Sequence, residues 1–118
     1  MIDGISEQEL RLHVANARLR PEASARSARI YRALRRVTDS GSVFYVLADT
    51  PEQFEDVFGI LVDDRMIVGF ELARDDPEAL PEDVDQCSVE EYRRTYDDEF
   101  VQAKLRIALE LARRDLGR

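Results

Sequence analysis

The hydrophobic positions near the start of the chain recur at helical spacing. Leu10, Val14 and Ala17 fall on one face at i, i+4 and i+7, which predicts a helix over residues 7–20. The letters SEQE at its start match the capping box, in which a hydroxyl and a carboxylate satisfy free backbone N–H groups. Pro21 interrupts this helix. Because proline is tolerated at a first helical position, a second helix is predicted to begin there.

The second predicted helix has one apolar side and one basic side. The apolar positions are Ala23, Ile30, Ala33, Leu34 and Val37, and the arginines opposite them are Arg29, Arg32, Arg35 and Arg36. A glycine and small polar residues at 38–42 end this helix.

The middle of the chain changes to the pattern of strands. The letters VFYVLAD at 43–49 are rich in β-branched and aromatic residues and predict a first strand. Residues 50–53 offer the alternative of a short helix, but the segments 56–64 and 65–73 predict a second and a third strand joined by an Asp-Asp turn.

The second and third strands are apolar at both alternating sets of positions. Since successive side chains point to opposite faces of a sheet, this pattern predicts a sheet buried on both faces. Gly59 and Gly69 interrupt the two strands, and a glycine inside a strand marks a bulge or a close approach of another group.

The last thirty residues carry a long helical period after a second capping box, SVEE, which starts at Ser88. The apolar face consists of Val89, Tyr92, Tyr96, Phe100, Ala103, Ile107 and Leu111, and a second stripe consists of Val101, Leu105, Ala108, Ala112 and Leu116. A helix that is apolar on two sides needs two partners. One is predicted to be the sheet, and the other is either the N-terminal helix pair or a second subunit.

Together these elements predict one α+β domain over residues 1–118. It has two N-terminal helices, a three-stranded antiparallel β-meander and a long C-terminal helix packed on the sheet. Neither a long apolar run nor a basic and apolar leader is visible in the sequence, and Cys87 has no second cysteine to pair with. These features favour a cytoplasmic protein without a membrane anchor.

Composition adds a marked separation of charge to this picture. Residues 1–38 hold eight basic and four acidic side chains, a balance of +4, and residues 100–118 hold five and two, a balance of +3. Residues 39–99 hold four basic and nineteen acidic side chains, a balance of −15, so the net charge is −8. The stretch DDPEALPEDVDQ at 75–86 is the densest part, with six carboxylates and no cation.

This acidic stretch does not have the pattern of a metal-binding loop. Its carboxylates are the hard oxygen ligands that Ca²⁺ and Mg²⁺ take, but it lacks the D-x-D-x-D-G spacing and the closing glutamate of an EF-hand. Pro77 and Pro81 also hold the backbone extended. The sequence therefore predicts no metal and no cofactor, and an extended connector between the last strand and the helix that starts at Ser88.

Two pairs of residues are catalytic candidates. Asp63 and Glu71 are acidic residues near a predicted hairpin, but a metal nuclease usually adds a lysine, and none lies near them in sequence. Cys87 and His13 are the other pair, since a thiol activated by a base is a nucleophile. No catalytic residue is predicted, and a small enzyme remains an alternative.

The leading hypothesis is a non-enzymatic protein-binding module that engages a basic protein. A strongly acidic segment attracts basic surfaces and speeds their encounter, which is how immunity proteins and nucleic-acid mimics neutralise basic enzymes. Tyr92 and Tyr96 are candidate anchors, although their spacing places them in the core first. The residues predicted to contact the partner are Asp75, Asp76, Glu78, Glu82, Asp83, Asp85, Glu90, Glu91, Asp97 and Asp98.

Other hypotheses remain open. Arg29, Arg32 and Arg36 form a stripe suited to phosphate contacts, so a dimeric regulator of nucleic acid is an alternative, although the isoelectric point near 4.7 opposes it. The same arginines are equally suited to acidic residues within the chain or in a partner subunit. The homodimer is predicted to form through the C-terminal helix. A solvated acidic stretch without any partner is the simplest alternative.

Overall fold

The computed structural model describes residues 4–118. In this part of the chain the helices are α1 (Glu7–Asn16), α2 (Ala25–Val37), α3 (Val89–Thr95) and α4 (Glu99–Asp115), and the strands are β1 (Phe44–Pro51), β2 (Glu55–Val62), β3 (Met66–Ala73) and β4 (Glu82–Ser88). The predicted α+β class is confirmed.

The four strands form one antiparallel sheet in the order β1-β2-β3-β4. The prediction of three strands is wrong, because the second half of the acidic stretch is itself a strand rather than a connector. β4 has a single β-branched residue, Val84, and it is exposed over most of its length. Backbone pairing with β3 holds it in the sheet, and a strand that buries so little has no hydrophobic alternation to reveal it.

Helices cover both faces of the sheet, as the apolar pattern of the second and third strands predicted. On one face Leu34 of α2 lies in a cluster with Phe58 and Phe70, whose ring centroids are 5.7 Å apart. On the other face α1 and α4 form a second cluster with side chains such as Tyr45 and Leu61. The sheet is therefore the middle layer of three.

The segment after α1 lies along the outer edge of β1 instead of continuing the helix to residue 20. The backbone N–H of Leu19 donates to the carbonyl of Phe44 at 2.8 Å, and that of Val46 donates to Ala17 at 3.0 Å. Leu19 is buried by this arrangement. One edge of the sheet is thus covered by the chain itself.

Two further boundaries differ from the prediction. α2 begins after Ser24 rather than at Pro21, because the Ser24 hydroxyl accepts a hydrogen bond from the backbone N–H of Ser27 and so caps the helix. The alternative short helix at Thr50 does not form, since this segment pairs with β2 as far as Pro51.

The predicted C-terminal helix is divided into α3 and α4. Asp98 starts α4, where its side chain accepts hydrogen bonds from the backbone N–H groups of Phe100 at 2.9 Å and Val101 at 3.1 Å. The amide of Gln102 donates to the carbonyls of Arg93 and Tyr96 and so fixes the bend. Both helices contribute apolar side chains to the same cluster. The helical spacing of apolar residues in the sequence therefore continues across the boundary between α3 and α4.

The second apolar stripe of α4 is buried inside the chain. Leu105, Ala108 and Ala112 lie in the cluster that α4 forms with α1 and the sheet. No large hydrophobic side chain of α4 is exposed. The homodimer through this helix stays a prediction, and the stripe that suggested it already has its partners within the chain.

None of the helices in residues 4–118 combines the length and the apolar character needed to cross a lipid bilayer.

Candidate functional site

A cavity of about 430 Å³ opens between the sheet and the α3–α4 pair. Its floor is one row of residues across the sheet, in which Ala48 pairs with Gly59, Gly59 with Gly69, and Gly69 with Asp85. Because three of these four residues carry at most a methyl group, they leave open space above this part of the sheet. The cavity is thus a consequence of strand register.

Gly69 is the glycine that another group approaches closely, as its position in a strand suggested. A Cβ atom at this position would collide with the carboxylate of Asp85. A Cβ atom at Gly59 would instead lie 3.5 Å from that of Ala48, an ordinary contact. The side chain of Asp85 therefore lies over the floor of the cavity, in the space that the missing Cβ leaves.

Aromatic residues of the two C-terminal helices form the wall of the cavity. Tyr92 and Tyr96 line it together with Phe100. The tyrosine ring centroids are 4.7 Å apart, with 44° between the ring planes. Tyr92 is half-buried, whereas Tyr96 is 50% exposed, so the wall extends from the apolar cluster out to solvent. Burial is the main cause that raises the pKa of Tyr92, followed by Tyr96 and Cys87.

A bulge in β4 brings two carboxyl groups together at the rim of the cavity. Gly69 pairs with Asp85 while Glu71 pairs with Glu82, so β4 contains one extra residue at this point. Asp83 takes a positive φ of 48° there, a conformation in which Asp and Asn are enriched. Bulges redirect side chains in this way, and here Asp83 and Glu71 line the same cavity close enough for their carboxyl groups to interact.

This pairing changes the ionisation of Glu71. Its hydrogen bond with Asp83 raises the pKa of Glu71 to about 7, with further contributions from burial, from the charge of Asp83 and from Glu55 and Glu52. Two neighbouring carboxylates repel each other, and one of them then retains its proton at higher pH. Near neutral pH, Glu71 is therefore only partly ionised.

Lys104 of α4 is the one lysine of the chain and lines the same cavity. Burial lowers its pKa, and the charge of Asp49 partly offsets this effect. Within residues 4–118 it makes no ion pair shorter than 4.0 Å. Lys104 and Glu71 are far apart in the sequence, and only the packing of α4 on the sheet brings them to one cavity.

The Cys87–His13 pair is not assembled. Cys87 lines the cavity above the sheet, whereas His13 lies on α1 and lines a separate cavity with Arg18 and Arg26. Burial, followed by the charges of Asp85 and neighbouring Glu91, raises the pKa of the Cys87 thiol. A nucleophilic cysteine needs the opposite shift.

The Asp63–Glu71 pair is not assembled either. Asp63 lies in the turn between β2 and β3 and accepts hydrogen bonds from the backbone N–H groups of Ser42 and Val43, each at 2.9 Å. Although burial raises its pKa, these bonds and Arg65 outweigh it and hold the pKa below its ordinary value. Glu71 lies at the other end of the hairpin, opposite Val57 of β2.

The described range 4–118 contains no group of three or more histidine, cysteine or acidic side chains placed to hold a metal ion.

All ten residues predicted to contact a basic partner are exposed. Among residues 4–118 only one of them forms an ion pair, that of Glu90 with Arg93 at 2.6 Å. By contrast, half of the other fourteen acidic side chains in this range are paired with arginine, namely Glu7, Asp49, Asp56, Asp63, Asp64, Glu110 and Asp115.

Three of the ten residues also have a local structural role. Asp98 caps α4, Glu91 completes the capping box of Ser88 at the start of α3, and Asp76 accepts a hydrogen bond from the N–H of Glu78 at 2.9 Å. Glu90 pairs with Arg93 within α3, and Asp83 interacts with Glu71.

The two edges of the sheet differ. Residues 17–19 cover β1, but no backbone hydrogen bond from residues 4–118 reaches the outer edge of β4. Leu80, just before β4, is 58% exposed, and Val84 within it is 46% exposed. The open edge therefore combines apolar side chains with unpaired carboxylates.

The arginine stripe on α2 is only partly free. Arg29 donates to the backbone carbonyls of Ala73 at 2.5 Å and Asp76 at 3.1 Å, so it holds the start of the acidic stretch against α2. Arg32 and Arg36 are exposed and make no side-chain hydrogen bond or ion pair within residues 4–118. Among these three arginines, the only contact with an acidic residue of the described chain is thus the bond from Arg29 to the backbone carbonyl of Asp76.

No protein-family model, curated protein or solved structure matches this chain. Its function therefore has to be argued from the surface and the cavity themselves.

Proposed function

We propose that this protein is a non-enzymatic binding module whose acidic surface, formed by residues 75–98, engages a basic protein. The observation that carries the proposal is the single ion pair among ten exposed carboxylates of this surface, compared with seven paired residues among the other fourteen. Nine of the ten carboxylates of this surface therefore have no ion pair within residues 4–118.

The open edge of β4 supports the same proposal. An extended segment of a partner adds to such an edge through main-chain hydrogen bonds, while pockets or apolar side chains provide specificity. Leu80 and Val84 are exposed along this edge, so a partner can make apolar contacts there as well as contacts with the carboxylates. Apolar contacts surrounded by a charged rim are the usual composition of protein interfaces.

The charge of the surface supports a basic partner rather than a neutral one. Carboxylates close together on one surface repel each other, and a partner that brings lysine or arginine relieves this repulsion. Long-range attraction also raises the association rate at low salt. The same physics operates in acidic inhibitors that neutralise basic enzymes.

The test is affinity capture from a native lysate with two matched triple variants. One variant neutralises the surface through Asp75→Asn, Glu78→Gln and Glu82→Gln. The control neutralises exposed residues outside it through Glu9→Gln, Glu22→Gln and Asp39→Asn, with the same change in net charge. We expect a basic protein to be recovered with the wild type and the control but reduced about tenfold or more with the surface variant.

Salt provides the second criterion for this test. Recovery is expected to fall between about 0.05 M and about 0.5 M salt, since exposed charges are screened over a few ångströms at the higher concentration. Equal recovery with both triple variants, or recovery of acidic proteins alone, would show that the surface does not function in this way.

Nucleic-acid binding stays a separate prediction. Arg32 and Arg36 are the members of the stripe that are free to contact phosphate. An electrophoretic mobility-shift assay that compares the wild type with Arg32→Glu tests the prediction of nucleic-acid binding. Unchanged or absent binding removes that alternative.

A further inference from the structure

The cavity between the sheet and the α3–α4 pair has the dimensions and walls of a small-molecule site. Its volume of about 430 Å³ lies within the range of roughly 300–1,000 Å³ that ligand sites occupy. Tyr92, Tyr96 and Phe100 give it an aromatic wall opposite the glycine floor.

The polar groups of the cavity are arranged by two separate features of the sheet. The absence of a side chain at Gly69 makes room for the carboxylate of Asp85. The bulge at Asp83, with its positive φ, places a second carboxyl beside Glu71. Asp is one of the residue types that tolerate this conformation, so the bulge is compatible with the sequence at this position.

The carboxyl groups are not neutralised from within. Lys104 is the only basic residue among those lining the cavity. It forms no ion pair shorter than 4.0 Å in the part of the chain that the structure describes. The carboxyl groups of the cavity therefore attract a positively charged ligand. The aromatic faces of its wall also attract cations.

We propose that this cavity binds a small organic cation, in which an ammonium or guanidinium group contacts Asp85 and the Glu71–Asp83 pair while an apolar body lies against Tyr92 and Tyr96. The proposed site shares Asp83 and Asp85 with the acidic surface, but its aromatic wall and glycine floor lie in the cavity. The proposal does not depend on the acidic surface having a protein partner.

Binding of a cation is coupled to the ionisation of Glu71. Protonation of this carboxyl removes a negative charge from the floor, so affinity is expected to rise as the pH increases from about 6 to about 8. The titratable and charged groups that face Glu71 or share its cavity are Asp83, Asp85 and Cys87 on β4, Glu52 and Glu55 near the start of β2, and Tyr92, Tyr96 and Lys104 on the helices.

The test uses benzamidinium, a flat amidinium cation, and benzamide, its neutral analogue of nearly equal shape. Both are titrated into ¹⁵N-labelled protein at about pH 8, and the backbone amide signals of Gly59 and Gly69 report on the cavity floor. We expect benzamidinium to shift both signals with roughly millimolar affinity, the range open to a ligand of this size. Benzamide is expected to leave them unchanged.

Variants then separate the cavity from the acidic surface. Asp85→Asn is expected to weaken benzamidinium binding about tenfold, the effect of losing a charged hydrogen-bond acceptor. Glu82→Gln is the matched control, because Glu82 is exposed on the same strand but does not line the cavity. Equal shifts with both probes, no shift with either, or equal weakening by the two variants would overturn the proposal.

The source of the cation is resolved by a third probe, N-acetyl-arginine amide. If it shifts the same glycine signals with similar affinity, the natural occupant is an arginine side chain of another protein. If only benzamidinium does so, the occupant is a free small molecule. Either result supports a cation site, and loss of partner capture by the surface variant alone leaves this site unaffected.

Discussion

Asp63 and Asp83 both have a positive φ but make different contacts. Their φ angles are 53° and 48°. Asp63 is buried and holds the N–H groups of Ser42 and Val43, whereas Asp83 is exposed and interacts with Glu71. Aspartate tolerates a positive φ in both places, so the surroundings decide whether its carboxylate accepts backbone hydrogen bonds or lies beside another carboxyl group.

We expect Asp63→Ala to destabilise the protein by about 2–4 kcal/mol, because two backbone donors lose their acceptor and alanine is strained at positive φ. The neighbouring Asp64→Ala removes ion pairs with Arg113 and Arg118 and is expected to cost under about 1 kcal/mol. Urea unfolding at neutral pH measures both variants. Equal losses would show that Asp63 acts only through its charge.

At the scale of elements, the first turn of α4 is capped by one side chain. Asp98 accepts from two backbone N–H groups at the start of α4, and loss of such a cap costs about 1 kcal/mol. We therefore expect Asp98→Ala to lower the free energy of unfolding by about this amount. Asp97→Ala is the control, because Asp97 is exposed and makes no such bond. An equal effect of both variants in urea unfolding would contradict the capping role.

Elements with strong local signals were predicted from sequence, and those held by pairing alone were not. The apolar stripes placed α1, α2 and the β2–β3 hairpin correctly, but β4 lacks such a stripe. The length of the turn between β2 and β3 was predicted incorrectly. Two residues, 63–64, were expected, and the structure has three, 63–65. This single extra residue sets the register in which Gly59 lies opposite Gly69.

At the scale of the whole molecule, the acidic surface was visible in the sequence and the cavity was not. Acidic side chains are rarely buried without a partner. The number of acidic residues in the segment 75–98 is therefore enough to predict an exposed acidic surface. The cavity requires Gly59, Gly69, Asp85 and Lys104 to meet, and these residues lie on four different elements. Only the register of the sheet and the packing of α4 bring them together.

Stability is expected to depend on pH through two sets of carboxyl groups with opposite shifts. The pKa values of Asp63 and Asp115 are lowered from 3.8, so the stability they provide is present above about that pH and is lost as the pH falls. The pKa of Glu71 is raised from 4.5 to about 7, so its contribution is present below about pH 4.5 and is lost as the pH rises through 7.

The urea midpoint of the wild type is therefore expected to fall at both ends of a pH series, below about pH 4 and again between about pH 5 and 7. Glu71→Gln removes the titrating group and Asp83→Asn removes its neighbour while keeping a side chain that tolerates positive φ. Both variants should abolish the fall between pH 5 and 7 and retain the one in acid. Parallel curves for wild type and Glu71→Gln would show that the carboxyl pair does not share a proton, because a purely structural effect of the substitution shifts the whole curve without changing its shape.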